Sequence, residues 1–156
     1  MKRLVLFLFT HGAAVAIGFA AGIYFLPILT APPSPDAEML EERAQAAMFN
    51  AELTRELRGS DRLHWGEGMI SLTETQIVHQ GALSPGPDYK VYLVSQFVEH
   101  EDEFEPLKDA SLRVGDVKTF DGFILDMPAD VDLEAYNTVL IWCEAFSEFI
   151  TAAQYR

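Results

Sequence analysis

Cys143 is the residue of this chain whose side chain is best suited to redox or metal chemistry, because a thiolate is both a nucleophile and a soft metal ligand. It lies between Trp142 and Glu144, and it is the one cysteine in 156 residues. A lone cysteine cannot form an intramolecular disulfide, and no C-x-x-C-H motif is present for covalent haem attachment. The chemistry open to Cys143 is therefore that of a bare thiol, or of a thiolate bound to a non-covalently held group.

Three interpretations of Cys143 follow from the residues around it. A free cysteine is often an inert core residue that packs as a small hydrophobe. A redox thiol needs a lowered pKa and some access, and the anion of Glu144 beside it would instead raise the pKa. A thiolate ligand to haem or another metal needs a pocket and a second ligand, for which His79 and His64 are candidates. We name Cys143 as the reactive residue, and Cys143, Trp142 and His79 as the residues that would hold a bound group.

A buried strand is predicted to position this thiol. Side chains alternate along a strand, so Val139, Ile141 and Cys143 share one face, while Leu140 and Trp142 share the other. Both faces are apolar, which is typical of a central strand that is covered on two sides. The glutamate that follows the cysteine is the exception, and its carboxylate needs a partner.

Further apolar and β-branched runs, separated by turn residues, predict the other strands of the domain. The predicted strands cover residues 63–72, 76–83, 89–95, one or two strands within 117–127, 137–146 and 147–154. Turns are predicted at Ser84–Asp88 and Arg113–Asp116. The acidic run Glu99–Glu105 lacks the spacing of an EF-hand loop, so we predict a solvated loop there and no metal site. The pattern predicts an all-β fold, a small β-sandwich-like domain.

An apolar segment without Asp, Glu, Lys or Arg covers residues 4–29. About 20 apolar residues suffice for a helix to cross a bilayer, whereas the apolar region of a signal peptide has roughly 7–15. We therefore predict an uncleaved transmembrane anchor. Lys2 and Arg3 precede the segment, which predicts a cytoplasmic N-terminus and a periplasmic or extracellular domain. Gly18 and Gly22 form a G-x-x-x-G pair, which predicts weak homodimerisation through this helix.

The chain is expected to have three parts: a transmembrane signal anchor (1–30), a Pro-rich spacer with an amphipathic helix (31–58), and the β domain (59–156). In the middle part, Ser34 is a predicted N-cap and Pro35–Arg58 a predicted helix, ended by Gly59, that serves as a short helical stalk.

The net charge of -13 disfavours anionic partners. Such a surface repels nucleic acid and anionic lipid headgroups, and it favours cationic partners, metal ions or simple solubility. No G-x-S-x-G motif is present, and the four histidines are scattered, so neither a hydrolase nor a transferase is indicated.

Several runs resemble the DM13 family in their order along the chain. The runs Pro128–Leu133 (PADVDL) and Val139–Phe146 (VLIWCEAF), with Tyr136 between them, resemble its C-terminal signature. Gly86–Leu93 (GPDYKVYL) resembles its "GPD…VYL" strand. The resemblance begins near Gly59. It implies a small β-sandwich-like domain whose characteristic cysteine takes part in electron transfer, as a bare thiol or through a prosthetic group.

The function that we predict is a membrane-anchored extracytoplasmic domain with a redox role centred on Cys143, acting with a redox partner protein. The cofactor compatible with this prediction is a non-covalently bound haem or another metal held by Cys143. The alternative is a non-catalytic cell-envelope module that binds a partner, in which Cys143 is an inert buried residue.

Overall fold

Two four-stranded antiparallel sheets form a sandwich in the computed structural model, which describes residues 1–156. The first sheet contains β1 (Phe49–Leu53), β2 (Gly66–Leu72), β3 (Gln76–Leu83) and β6 (Phe123–Asp126), in the order β1-β2-β3-β6. The second contains β4 (Tyr89–Val94), β5 (Leu112–Val117), β7 (Thr138–Cys143) and β8 (Glu148–Gln154), in the order β5-β4-β7-β8. The helices are α1 (Lys2–Thr30), α2 (Ala37–Ala44) and α3 (Glu101–Phe104), with 3₁₀ helices at Glu105–Ala110 and Leu133–Ala135.

The main core lies between the two sheets. It comprises 19 buried residues, most of them from the inward-facing positions of both sheets, with Met127, Leu133 and Tyr155 from segments outside the strands. Examples are Ile70 and Ile77 in the first sheet and Val91 and Ile141 in the second, all of which are fully buried. Burial of this apolar surface is the main stabilising term of the sandwich.

The outer face of the second sheet is also covered. All six residues of β4 and all six of β7 are buried. A second cluster of eight buried residues, among them Trp142 and Phe104, lies on this outer face. Phe104 belongs to α3, so the connection between β4 and β5 covers the outer face of the second sheet. The prediction that β7 is a central strand with two buried faces is confirmed.

The β-sandwich-like part of the predicted fold class and the long apolar helix before it are confirmed, but the chain as a whole is not purely all-β. Helix accounts for 32% of the chain and strand for 31%. Most of the helical residues lie in α1. This helix is long and apolar enough to cross a membrane, although an N-terminal signal sequence can have the same length and composition. None of the residues of α1 is buried. The fold is therefore a two-sheet sandwich that follows a long apolar helix.

The predicted helix Pro35–Arg58 is wrong beyond Ala44, where α2 ends. Ala51 and Leu53 are buried while their neighbours are exposed, which is the period of a strand and not of a helix. This segment is β1, which pairs with β2 along its whole length. Pairing with a strand farther along the chain overrides the weak helical periodicity of an alanine-rich segment.

The start of this helix also differs from the prediction. The N-cap is Asp36 and not Ser34, and the Asp36 carboxylate accepts a hydrogen bond of 2.8 Å from the backbone N–H of Met39. Aspartate is as good an N-cap as serine, and it satisfies one of the free N–H groups of the first turn.

Two further predictions are corrected between β4 and β7. Arg113–Asp116, predicted as a turn, lies within β5 and pairs with β4. Charged side chains at this position are expected of an edge strand, where they oppose pairing with another chain. The acidic run Glu99–Glu105, predicted as a loop, contains α3. Its acidic residues lie in the first turn of that helix, where the helix dipole favours negative charge.

Candidate thiol site

Cys143 is the last residue of β7, between two neighbouring strands. It pairs with Tyr89 on β4 and with Glu148 on β8. Its side chain belongs to the core between the sheets, and only 2% of the residue is exposed. The register of the central strands therefore determines where the thiol lies.

The Cys143 side chain borders a cavity of about 270 Å³. The lining is mostly apolar, and its residues come from α1, the loop before β2, the β3–β4 loop and the β7–β8 region. These residues are Ala20, Ile23, Tyr24, Leu63, His64, Pro85, Gly86, Pro87, Tyr89, Cys143, Phe146 and Ile150. The thiol is thus buried from bulk water, but it is not enclosed by packed atoms on every side.

Burial raises the pKa of the Cys143 thiol above its usual value. The backbone groups of Phe146, Ala145 and Asp88 favour the thiolate and partly oppose this shift, while the charge of the Asp88 carboxylate adds to it. The direction of the pKa shift agrees with the sequence prediction, but the main cause is burial of the thiol and not the charge of Glu144. At neutral pH the resting side chain is the protonated thiol.

The partner that Glu144 requires is supplied by two side chains. Lys108 Nζ lies 2.5 Å from Glu144 Oε2, and the Tyr92 hydroxyl donates a hydrogen bond to the other carboxylate oxygen. Burial opposes ionisation of Glu144, but these two contacts outweigh it and the pKa of Glu144 is lowered. The carboxylate is therefore held as an anion on the outer side of the second sheet, within a network of its own.

Trp142 points away from the thiol, to the opposite face of β7. Its ring lies 5.0 Å from the Phe104 ring, centroid to centroid, and Lys108 Nζ lies 5.5 Å from its centroid. The side chain is fully buried, and its Nε1 has no hydrogen-bond partner. Trp142 is a core residue of the outer cluster in this structure.

His79 lies in the first sheet and is fully buried beside Phe123, with 5.1 Å between ring centroids. Its Nε2 lies 3.1 Å from the carbonyl oxygen of Glu67, while Nδ1 has no partner. Burial lowers the pKa of His79, so the imidazole is neutral at pH 7. His79 does not line the cavity beside Cys143.

The structure therefore does not bring the three predicted residues together. The histidine that shares the cavity with Cys143 is His64, whose Nδ1 lies 3.2 Å from the Asp61 carboxylate. No spacing in the sequence links His64 or Leu63 to the cysteine, because they meet it only through the folding of a loop that precedes β2. Binding of one group by Cys143, Trp142 and His79 stays a prediction.

The residues around Cys143 do not fit a haem. The cavity beside Cys143 offers a haem no free second ligand. His64 is the one imidazole in it, and it is already paired with Asp61. No group of three or more His, Cys, Asp or Glu side chains is arranged to hold a metal ion. The chemistry of this site is that of a thiol in an apolar cavity.

Comparison with known proteins links this chain to one family. The family model described as "Electron transfer DM13" matches residues 57–155, which cover both sheets apart from β1. Searches of curated proteins and of solved structures gave no match. Because the family model covers well over half of the chain, the chain belongs to the DM13 electron-transfer domain family.

Proposed function

We propose that this protein is a membrane-anchored DM13 domain with a redox role that is centred on Cys143. Residues 1–30 serve as an uncleaved anchor, and the sheets lie on the periplasmic or outer side of the membrane. Lys2 and Arg3 at the start of the anchor support this orientation. A redox partner protein supplies or accepts the electrons.

The observation that carries the proposal is the cavity beside the Cys143 side chain. A cysteine whose role is only to fill the core is expected to be packed on all sides, since protein interiors contain few voids. Here the thiol is 2% exposed and yet borders about 270 Å³ of free space. A small molecule, or a sulfur atom of a partner, could reach it without unfolding of the sheets.

The chemistry of a lone, protonated thiol restricts the reaction. One-electron oxidation of Cys143 has to release the thiol proton together with the electron, because the pKa is raised. Two-electron oxidation to a disulfide needs a thiol from another molecule, and it releases two electrons and two protons to an acceptor. The first route requires a partner that accepts the electron. The second also requires a partner thiol, because the chain has no second cysteine.

Equilibration with glutathione tests this function. The full chain in detergent is incubated with mixtures of reduced and oxidised glutathione, and the mixed disulfide at Cys143 is measured by mass spectrometry. We expect the adduct to form in the folded protein in proportion to the oxidised fraction, and to be absent from Cys143→Ala. An adduct that forms only after denaturant is added would show that the thiol is sealed, and the redox role would be abandoned.

The alternative is a non-catalytic module of the cell envelope. The raised pKa of Cys143 and its low exposure favour this reading, because reactive cysteines are usually accessible thiolates. In this case the acidic surface would bind a cationic partner, and Cys143→Ala would alter only packing, by about 1 kcal/mol. The glutathione experiment separates the two functions.

A further inference from the structure

The rim of the cavity beside Cys143 carries exposed apolar side chains. Leu63, in the loop before β2, is 57% exposed, and Phe146, in the turn between β7 and β8, is 51% exposed. Both line the cavity. Exposed apolar side chains that cluster at one place indicate an interaction surface, whereas single ones need no explanation.

The cavity lining is also almost uncharged, although the chain carries a net charge of -13. None of its residues is Asp, Glu, Lys or Arg, and His64 is the one titratable imidazole. A lining without acidic groups in so acidic a protein is suited to an apolar contact.

The second wall of the cavity is formed by α1, and its position indicates what covers the rim. Leu4–Ile23 comprises 20 residues, which is about 30 Å of helix and enough to span the hydrocarbon core of a bilayer. A span placed on these residues puts Tyr24 at the boundary between lipid and water, where tyrosine is enriched. Ile23 and Tyr24 line the cavity, so this placement brings its opening to the level of the membrane interface.

A second apolar cavity, of about 620 Å³, continues along α1 from the first. The two share Ile23, Pro87 and Phe146 among their lining residues. Gly18 and Gly22 border the second cavity, and a Cβ atom at either would meet no other atom within 4 Å. Together the cavities form an apolar groove that leads from the thiol along the helix.

We propose that the rim of this cavity, with Leu63 and Phe146, lies in the membrane interface, and that the groove holds the hydrocarbon chain of a membrane lipid. The acyl chain enters along α1 and ends near Cys143. The proposal rests on the membrane anchoring proposed above, but it does not depend on the redox role. A tethered domain would then be held in one orientation, with the mouth of the cavity beside its thiol at the membrane surface.

Depth-dependent fluorescence quenching tests the membrane contact. The full chain, carrying Cys143→Ala, receives a new cysteine at Phe146→Cys or, as a matched control, at Met69→Cys. Met69 is 42% exposed on the first sheet and does not line the cavity. Each variant is labelled with an environment-sensitive fluorophore and reconstituted into phosphatidylcholine vesicles, with or without doxyl-labelled phosphatidylcholine.

We expect several-fold quenching at position 146 and none at position 69, in protein that floats with the vesicles. Equal quenching at the two positions in floating protein would overturn the interface proposal and leave the anchor intact. Protein that does not float would overturn both the anchor and this proposal, while the glutathione experiment on Cys143 would still decide the redox role.

The native cysteine provides a second measurement that needs no substitution. The full chain in the same vesicles is treated with a bilayer-partitioning pyrene maleimide or with a membrane-impermeant sulfonated maleimide. We expect Cys143 to react several-fold faster with the apolar reagent, and the preference to disappear in denatured, detergent-solubilised protein. A faster reaction with the sulfonated reagent in vesicles would show that the cavity opens to water, and the proposal would be withdrawn.

Discussion

The two faces of β7 differ sharply, although they are built from adjacent residues. On the outer face, Trp142 is fully buried and packs against Phe104, beneath a charged network in which Lys108 contacts Glu144. On the inner face, Cys143 is nearly as buried but borders free space. One face is closed by packing and the other ends at a cavity. The comparison shows that low exposure alone does not make a residue structurally inert.

The largest effect is expected from opening the closed face. Trp142→Ala should reduce the free energy of unfolding by about 3–5 kcal/mol, because it leaves a cavity where a large aromatic side chain was packed. Urea denaturation of the full chain in detergent measures this loss. Phe146→Ala, which removes an exposed aromatic side chain, is the control and should change stability by less than about 0.5 kcal/mol. A similar loss in both variants would contradict the contrast between the faces.

Enlarging a side chain on each face sharpens the comparison. Ala152 is buried in the same cluster as Trp142, so Ala152→Leu should cost about 1–3 kcal/mol through overpacking. Cys143→Leu can extend into the cavity and should cost less than about 1 kcal/mol. Denaturant melts of the two variants give the difference. If Cys143→Leu is as destabilising as Ala152→Leu, the space beside the thiol is not available to a side chain.

A smaller effect is expected from the charged network that covers the outer face. Glu144→Gln should lower stability by up to about 1 kcal/mol at neutral pH, because the partly exposed ion pair with Lys108 is weakened. The pKa of Glu144 is lowered in the folded protein, so its contribution is present above its unfolded value of about 4.3 and is lost as the pH falls through the folded value.

The difference between wild type and Glu144→Gln should therefore shrink in acid, as measured by urea melts from pH 7 down to pH 3. Glu74→Gln is the matched control, since Glu74 is exposed in the β2–β3 turn and forms no ion pair. A difference for Glu144→Gln that persists unchanged at pH 3 would contradict the role assigned to its carboxylate.

Much of the sandwich could be predicted from local pattern. The bounds of β3 agree with the prediction of residues 76–83, and the two faces of β7 follow from strict alternation of apolar side chains. The failures are β1 and β5. The residues of β1 fit a helical spacing almost as well as a strand, and pairing with β2 decides between them. The segment Arg113–Asp116, predicted as a turn because of its charged residues and glycine, lies in the edge strand β5.

The candidate site could be predicted only in part. The strand that bears Cys143, and the burial of that residue, follow from the sequence. The cavity does not, because its other walls are a loop that precedes β2, a proline-rich loop between the sheets and α1. Leu63 and Cys143 are 80 positions apart in the chain, and no local rule relates them. Contacts of this kind depend on how the sheets pack, which periodicity does not encode.

The central claim, that the Cys143 thiol can be reached in the folded protein, is tested most directly by its rate of alkylation with iodoacetamide. This rate is measured against pH in the folded full chain and in the chain unfolded in urea. A thiol that borders a cavity should be alkylated in the folded state faster than the protein unfolds. The alkylation rate should also level off at a higher pH than in the unfolded chain, because burial raises the pKa of the thiol. A folded-state rate equal to the rate of unfolding at every pH would show that Cys143 is reached only through unfolding, and the account would be contradicted.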